Sequence, residues 1–255
     1  HKGLSTLKLA VGIVVLLIAI GAIYFISQEE EELPTGGPYA SQIYSATSSD
    51  GIHWTVDNTL LLDHADVPGA VCFNGKLYLY YVAAGPEGDR LMVGISEDRG
   101  ATFTTYDVQI GGSNSPNPVD PTALVDGNKI RLTYLGNLNQ GETNKIVTAT
   151  STDGIHFTEE GVIFTGDAYD PDLFYDEVNG EWVLLTGVSG VLTKATASSL
   201  NTQFTIDPSF TWALGEITST HKIENKYYTY YMEKGRISVA EYENCLLYTS
   251  PSPRD

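Results

Sequence analysis

The sequence predicts an all-β fold of the β-propeller type, and three observations carry this prediction. A two-stranded unit recurs at intervals of about 50 residues, and a second pair of strands follows each unit. The 255 residues include 16 Tyr and 25 Gly, which suits strands that are joined by tight turns. Units of four strands that repeat at this period are typical of the blades of a propeller.

The repeated unit is a short strand, a tight turn and a second strand rich in Tyr, Leu and Val. Its four copies begin at Val67, Asp120, Asp170 and Ile217. A second turn also recurs, in the segments Ser49–Trp54, Ser96–Phe103 and Thr152–Phe157. In this turn an Asp side chain can accept hydrogen bonds from backbone N–H groups, and a Gly provides a positive φ. The two patterns together predict four antiparallel strands in each unit.

The incomplete units at the two ends predict a ring that is closed by shared strands. The N-terminal piece provides only two strands, over Gln42–Thr47 and Trp54–Leu62. The last unit provides three strands, the third of them over Arg236–Tyr242, and then stops. We expect the N-terminal pair to be the outer half of a closing blade whose inner half follows the C-terminus of this sequence. The prediction is therefore a five-bladed propeller domain, incomplete here, over residues 39–244.

The N-terminal region predicts a membrane anchor. Leu9–Ile26 is an unbroken apolar run of 18 residues. At a rise of 1.5 Å per residue it spans roughly 27 Å, close to the ~30 Å hydrocarbon core of a bilayer. Two lysines precede the run and four glutamates follow it, so residues 1–8 are expected in the cytoplasm and the propeller on the extracytoplasmic side. A cleaved signal peptide is the alternative to this uncleaved signal anchor. Residues 27–38 form an acidic linker that contains Pro and Gly.

The C-terminal residues have a different character from the repeats. Cys245–Asp255 resembles the in-frame translation of a sequencing adapter, and we expect residues 245–255 not to belong to the natural protein. A natural Pro-rich tail is the alternative interpretation.

Composition excludes several classes of partner. The chain has 32 acidic and 14 basic side chains and a net charge of -18, so a nucleic-acid backbone would be repelled. It shows neither the Cys/His spacing of a zinc site nor a phosphate-binding glycine loop before a helix. No cofactor is expected, and a Ca²⁺ ion at an acidic axis is the one alternative.

Acidic side chains occupy the start of each innermost strand, which faces the central axis in a propeller. These candidate catalytic residues are Asp66, Asp120, Asp170 and Glu216. Neighbouring carboxyl groups raise each other's pKa, which a general acid needs while a second group stays ionised. Hydrolysis of a glycosidic bond uses such a pair. The alternative is structural, because Asp-Pro begins a strand well: Asp caps turns and Pro fixes φ.

Over residues 39–244 the chain resembles the five-bladed propeller glycoside hydrolases, including the arabinanase/β-xylosidase and invertase-like groups. Tyr169–Leu184 is similar to their third-blade Asp-Pro hairpin. The resemblance implies that Asp170 orients the substrate and tunes the acid, and that Glu216 is the general acid, although the usual Glu-Gly-Pro context is absent. It places the general base at the start of the first blade, where Val67 stands directly after Asp66. Asp66 and Asp120 are the two candidates for the base.

Three further residues complete the predicted site as substrate-binding groups: Asp172, Trp212 and His221. Trp212 precedes a strand start and could stack on a sugar ring, whereas packing between blades is the alternative role of such aromatics. His221 could face the cavity or be an ordinary strand residue.

A second resemblance concerns the outer turns and the activity. Ser96–Phe103 fits the Asp-box of sialidases, a rim turn that bears on the fold and not on the chemistry. A sialidase would also need axial arginines for the substrate carboxylate, and the strand starts contain none. The sequence therefore predicts a membrane-anchored, carbohydrate-active propeller resembling a glycoside hydrolase. The alternative function is a non-catalytic surface propeller that binds glycan or protein.

Overall fold

The computed structural model describes residues 36–85, 88–112, 118–136, 143–210, 212, 215, 217–243 and 246–249, with backbone only at 243 and 246–249. Within these ranges the chain forms β-strands and one short 3₁₀ helix, η1 (Gly37–Tyr39), and no α-helix. The predicted all-β class is confirmed. No helix in the described ranges is long and apolar enough to cross a membrane, and the predicted anchor Leu9–Ile26 lies outside them.

The strands form a two-stranded hairpin and four larger sheets. The N-terminal hairpin consists of β1 (Gln42–Ser48) and β2 (Trp54–Asp63). The first sheet consists of β3 (Ala65–Phe73), β4 (Lys76–Ala83), β5 (Arg90–Ser96) and β6 (Thr104–Asp107). The second sheet consists of β7 (Gln109–Gly111), β8 (Val119–Asp126), β9 (Lys129–Gly136), β10 (Lys145–Ser151) and β11 (His156–Thr165). The third sheet consists of β12 (Ala168–Asp176), β13 (Glu181–Val188), β14 (Val191–Ala197) and β15 (Thr205–Ile206). The fourth sheet consists of β16 (Thr218–Ile223), β17 (Lys226–Glu233), β18 (Arg236–Glu243) and β19 (Leu246–Thr249).

Each large sheet is an antiparallel meander of four consecutive strands, as the repeat predicts, and β7 adds to the edge of β11 in parallel. The prediction that the last unit stops after its third strand was wrong. Leu246–Thr249, from the segment expected to be non-native, pairs antiparallel with β18. The free edge of β18 offers unpaired backbone groups, and Leu, Tyr and Thr suit a strand, so this short segment can extend the sheet.

The core lies between the sheets. Alternate residues of a strand face opposite sides, so a strand packed between two neighbours is buried on both faces. In β9, Ile130 and Leu132 pack on the first sheet, and Leu135 packs in the cluster shared with the third sheet. A third cluster joins the third and fourth sheets around Phe174 and Tyr227. Each sheet therefore depends on the next one for its burial.

The N-terminal hairpin contacts both ends of this series of sheets. Ile43 packs against Ala65, Leu79 and Tyr81 of the first sheet. On its other side, the Tyr230 hydroxyl of the fourth sheet donates a hydrogen bond of 2.7 Å to the carbonyl oxygen of Gly51. The sheets thus follow each other around an axis and the hairpin lies between the last and the first, which is the arrangement of a propeller.

The contact between the fourth sheet and the hairpin repeats one between the first and second sheets. There the Tyr80 hydroxyl donates a hydrogen bond of 3.0 Å to the carbonyl oxygen of Gly154, and Tyr80 also packs edge-on against Phe157. Tyr230 packs edge-on against Trp54 in the same way, with ring centroids 5.6 Å apart. The two tyrosines occupy the same place in their repeats, and the two glycines the same place in the recurring turn. The hairpin therefore faces the fourth sheet as the second sheet faces the first.

The equivalence of these two contacts predicts matched effects on stability. Tyr80→Phe and Tyr230→Phe each remove one hydroxyl that satisfies a backbone carbonyl, and each should lower the free energy of unfolding by about 1 kcal/mol. Tyr44→Phe is the control, because its hydroxyl bonds Gln42 on an exposed surface. Urea denaturation of the three variants is the measurement. If Tyr80→Phe is destabilised but Tyr230→Phe unfolds at the same urea concentration as the unmutated protein, the contact between the hairpin and the fourth sheet is contradicted.

Candidate functional site

The innermost strands β3, β8 and β12 begin with the same irregularity. Val67, Asp120 and Asp170 have φ values of 48°, 52° and 50°, and each precedes a proline. At each position the pairing with the next strand skips two residues, and we call this irregularity the bulge. A residue other than Gly rarely takes this left-handed conformation, and a residue before proline normally takes an extended one. Because three sheets share the outlier, the surrounding structure must impose it, which is typical of functional positions.

These strand starts bring three of the predicted catalytic residues into one group. The half-buried Asp120 carboxylate accepts a hydrogen bond from the backbone N–H of Asp170, and the negative charge of Asp66 acts on it. Burial raises the pKa of Asp120, the charge of Asp66 raises it further, and the Asp170 N–H partly offsets both effects. Asp66, Asp120 and Asp170 come from three different sheets, so their meeting is a consequence of the ring.

Asp66 is held by contacts of its own. Its Oδ1 atom accepts a hydrogen bond of 2.8 Å from the backbone N–H of Val67, and its Oδ2 atom accepts one of 3.1 Å from the Ser41 hydroxyl. Ser41 follows η1, where the Tyr39 hydroxyl donates to the carbonyl oxygen of Gly85 at 2.6 Å. The segment before β1 therefore orients the Asp66 carboxylate. The sequence did not predict Ser41 as a site residue, because nothing in its local pattern indicates this long-range contact.

Asp172 is buried at the interface between the third and fourth sheets, with 2% of its surface exposed. Its Oδ2 atom accepts a hydrogen bond of 2.7 Å from the Thr220 hydroxyl. Burial raises the pKa of Asp172, and the hydrogen bonds from Thr220 and the charge of His221 partly offset this effect. The side chain therefore contacts a neighbouring strand, and the substrate contact predicted for it stays a prediction.

The two other predicted substrate contacts lie near the fourth sheet. The ring of Trp212 packs edge-on against Tyr231 with centroids 5.0 Å apart, and its Nε1 atom donates to the carbonyl oxygen of Gly215 at 2.7 Å. His221 is exposed on β16, and its Nε2 atom lies 2.9 Å from the Ser219 hydroxyl. Trp212 thus packs against the fourth sheet, and a sugar contact by either residue stays a prediction. Glu216, the predicted acid, lies outside the described residues.

The acidic groups of the described ranges do not form a metal site. No set of three or more His, Cys, Asp or Glu side chains in these ranges is placed to hold an ion. The Ca²⁺ alternative stays a prediction.

The recurring outer turns are capped by their aspartates. Asp50 Oδ1 accepts hydrogen bonds of 2.8 Å from the backbone N–H groups of Ile52 and His53, and Asp153 makes the same pair of bonds in the second sheet. In the first sheet, hydrogen bonds from Thr102 and Ser96 lower the pKa of Asp98 to about 2. These aspartates stabilise the turns between strands, so their recurrence is explained by a structural role.

Comparison with known proteins identifies the fold. No family model and no curated protein matches this chain. A thermostable family-43 glycoside hydrolase aligns with a TM-score of 0.65 over 83% of this chain and 88% of its own, at 13% identity. The GH43_1 enzyme from Xanthomonas citri complexed with xylotriose aligns with a TM-score of 0.64 over 84% of this chain and 83% of its own, at 16% identity. A family 117 glycoside hydrolase from Zobellia galactanivorans aligns with a TM-score of 0.59 over 85% and 77%, at 15% identity. The predicted resemblance to propeller glycoside hydrolases is confirmed at the level of the fold.

The raised pKa of Asp120 predicts how its replacement changes stability. A carboxyl group whose folded-state pKa is raised contributes stability below its unfolded pKa of about 3.9, and this is lost as the pH rises through the folded pKa. Asp120→Asn cannot ionise, so we expect it to melt at a higher temperature than the unmutated protein at pH 7. The difference should shrink towards pH 3.

Thermal melting from pH 3 to pH 7 is the measurement, and Asp89→Asn at an exposed position is the control. A melting temperature of Asp120→Asn that falls below that of the unmutated protein at pH 7 would show that the ionised carboxylate stabilises the fold.

Proposed function

We propose that this protein is a carbohydrate-active propeller that hydrolyses glycosidic bonds with carboxyl groups as acid and base. The observation that carries the proposal is the convergence of Asp66, Asp120 and Asp170 from three bulged strand starts. A half-buried carboxyl group beside a second carboxylate is the arrangement that separates an acid from a base. The shared fold with glycoside hydrolases, one of them complexed with xylotriose, supports a saccharide as the ligand.

The environments of the carboxyl groups support an assignment of roles. Asp120 has the raised pKa and is the proton donor to the leaving oxygen, and Asp66 is the group that takes a proton from the attacking water. Asp170 orients the substrate and, through its N–H, holds the Asp120 carboxyl group. Glu216 is the second candidate for the acid, from its place in the sequence.

One observation favours the second candidate function, a non-catalytic propeller that binds glycan or protein. Val67 has the same bulged, left-handed backbone as Asp120 and Asp170, but it brings an apolar side chain to that position. A protein that only binds sugar through hydrogen bonds from sugar hydroxyls to carboxylates needs no general base at the Val67 position.

The proposal extends to the architecture and the location of the protein. The ring has five blades, and β1 and β2 are the outer half of the fifth. The repetition of the Tyr80 and Gly154 contact by Tyr230 and Gly51 supports this closure. Leu9–Ile26 is a signal anchor that holds the propeller on the extracytoplasmic side of a membrane, which the uninterrupted apolar run and its charged flanks support.

Hydrolysis of xylotriose by the purified protein tests the activity. Asp66→Asn and Asp120→Asn should each lower kcat by about 10²–10⁴-fold, the usual contribution of a general acid or base. Asp170→Asn and Glu216→Gln complete the series, and Asp89→Asn is the control. If Asp120 is the acid, the rate falls as the pH rises through its raised pKa.

The alternative function gives a different result in the same series. If calorimetry shows that the unmutated protein binds xylotriose, but the protein does not hydrolyse it to xylose, the non-catalytic propeller is favoured. Loss of hydrolysis in Glu216→Gln with full activity in Asp120→Asn would transfer the acid role to Glu216.

Fractionation of expressing cells tests the anchor. The full chain should stay in the membrane pellet after extraction with alkaline carbonate, whereas a variant without residues 1–26 should be released, because the apolar run then no longer binds the bilayer. Protease added to intact spheroplasts should digest the propeller of the full chain. A full chain that is extracted by carbonate, or that resists the protease until the cells are lysed, would contradict the proposal.

A further inference from the structure

The first residue to pair after each bulge differs among the three sheets. These residues are Gly69, Thr122 and Asp172. Each comes two positions after the left-handed residue of its strand, so the three positions are equivalent in the fold. The contacts of Gly69 and Asp172 show that this position faces the innermost strand of the next sheet. The size of its side chain therefore bears on how closely neighbouring innermost strands approach each other.

At the first interface the strands approach through their backbones. A Cβ atom on Gly69 would lie 2.5 Å from the carbonyl oxygen of Pro121 and 3.2 Å from the Cα atom of Thr122. Backbone atoms cannot yield as the end of a flexible side chain can, so no side chain fits between β3 and β8 at this point. The absence of a side chain at Gly69 sets the close approach of these two strands.

At the third interface a carboxylate fills the corresponding space. Asp172 accepts the hydrogen bond of the Thr220 hydroxyl, and the Thr220 oxygen lies 2.8 Å from that of Thr229. Because the only hydroxyl proton of Thr220 is donated to Asp172, Thr229 must donate to Thr220. All three side chains are buried. The resulting chain of hydrogen bonds runs from β12 across the interface to β16 and on to β17.

We propose that Asp172 is a positioning residue that acts as a spacer: it holds β16 away from β12 and so sets the width of the site beside Asp170. The spacer role is independent of any ligand, while its effect on a saccharide rests on the proposed function. An aspartate suits this position because its oxygen both fills the gap and accepts the hydrogen bond of the buried Thr220 hydroxyl. An apolar side chain of the same size would fill the gap but would remove the acceptor that joins β12 to Thr220.

The asymmetry of the ring follows from the spacer. The side of the axis between the first and second sheets is closed by backbone contact at Gly69, whereas the side between the third and fourth sheets is held open by Asp172. A bound ligand would therefore lie towards Asp170 and the fourth sheet. Asp172 determines this placement without touching the ligand, since almost none of its surface is exposed.

Three substitutions at this position separate spacing from charge. Asp172→Asn keeps the volume and one acceptor oxygen, Asp172→Gly reproduces the residue of the first interface, and Asp172→Thr reproduces that of the second. The first measurement needs no ligand. Spin labels at Val178 and Asn225, in the exposed turns after β12 and β16, report the distance between the two strands by pulsed electron paramagnetic resonance. The labels are placed in a background in which Cys72 and Cys245 are replaced by Ser.

The spacer predicts a graded result. The distance between the labels should be unchanged in Asp172→Asn and should shift to shorter values in Asp172→Gly, with Asp172→Thr between them. The variant Asp172→Thr also keeps the test decisive if Asp172→Gly does not fold. The second measurement is the kcat/KM for xylotriose, which should fall about 10²-fold in Asp172→Gly, as expected for a misplacement near 1 Å, and stay within a few-fold in Asp172→Asn.

The outcomes that overturn the spacer differ from those that overturn the proposed hydrolase. An unchanged label distance in both Asp172→Gly and Asp172→Thr would refute the spacer. A loss of kcat/KM in Asp172→Asn as large as in Asp172→Gly, at an unchanged label distance, would show that the charge acts on the substrate. If the unmutated protein does not hydrolyse xylotriose, the label distances still decide the spacer.

Discussion

The packing of each sheet against the next is the constraint on which the rest of this structure depends. A four-stranded antiparallel sheet has two faces, and here residues such as Leu132 and Leu135 of one strand are buried on opposite sides. No sheet can bury both faces alone, so each needs a neighbour on either side, and here the sheets follow each other around an axis. The N-terminal hairpin extends the same packing to the side of the fourth sheet through Tyr230. The convergence of the innermost strand starts is a geometric result of this arrangement.

The ring also explains how an unfavourable backbone conformation persists at the strand starts. A β-branched residue such as Val67 is disfavoured at positive φ, and its neighbour Pro68 adds a further restriction. The packing of the surrounding sheets must outweigh this cost at three equivalent places. In the second and third sheets the conformation brings the backbone N–H of Asp170 to the Asp120 carboxylate, and the charge of Asp66 from the first sheet acts on the same carboxylate. In these two sheets, backbone strain and an acidic side chain therefore occur at the same position.

The sequence predicted the features that arise from local pattern. Strands and repeated units are predicted by alternating apolar residues, turn glycines and Tyr-rich hairpins. The structure has these strands where the repeat places them, and Val67, Asp120 and Asp170 occupy equivalent positions. Features that depend on long-range contact were not predictable. The Ser41 contact with Asp66 joins residues that are far apart in sequence, and the burial of Asp172 depends on Thr220 of another sheet. The pairing of β19 was missed because the unpaired backbone groups of an open sheet edge can pair with a short segment of almost any sequence.

The charge of the protein narrows the kind of saccharide that fits the site. The chain has a net charge of -18, and the charge of Asp66 acts on the Asp120 carboxyl group at the strand starts. An acidic sugar would be repelled by both the local and the overall field, and the strand starts contain no arginine to pair with it. A neutral sugar has only hydroxyl groups, which donate to carboxylate oxygens without adding charge. Burial and the charge of Asp66 both raise the pKa of the half-buried Asp120, and a neutral sugar adds no charge that would change this. Under the proposed function, the same electrostatics that argue against nucleic acid and uronic acids therefore favour a neutral oligosaccharide as the ligand.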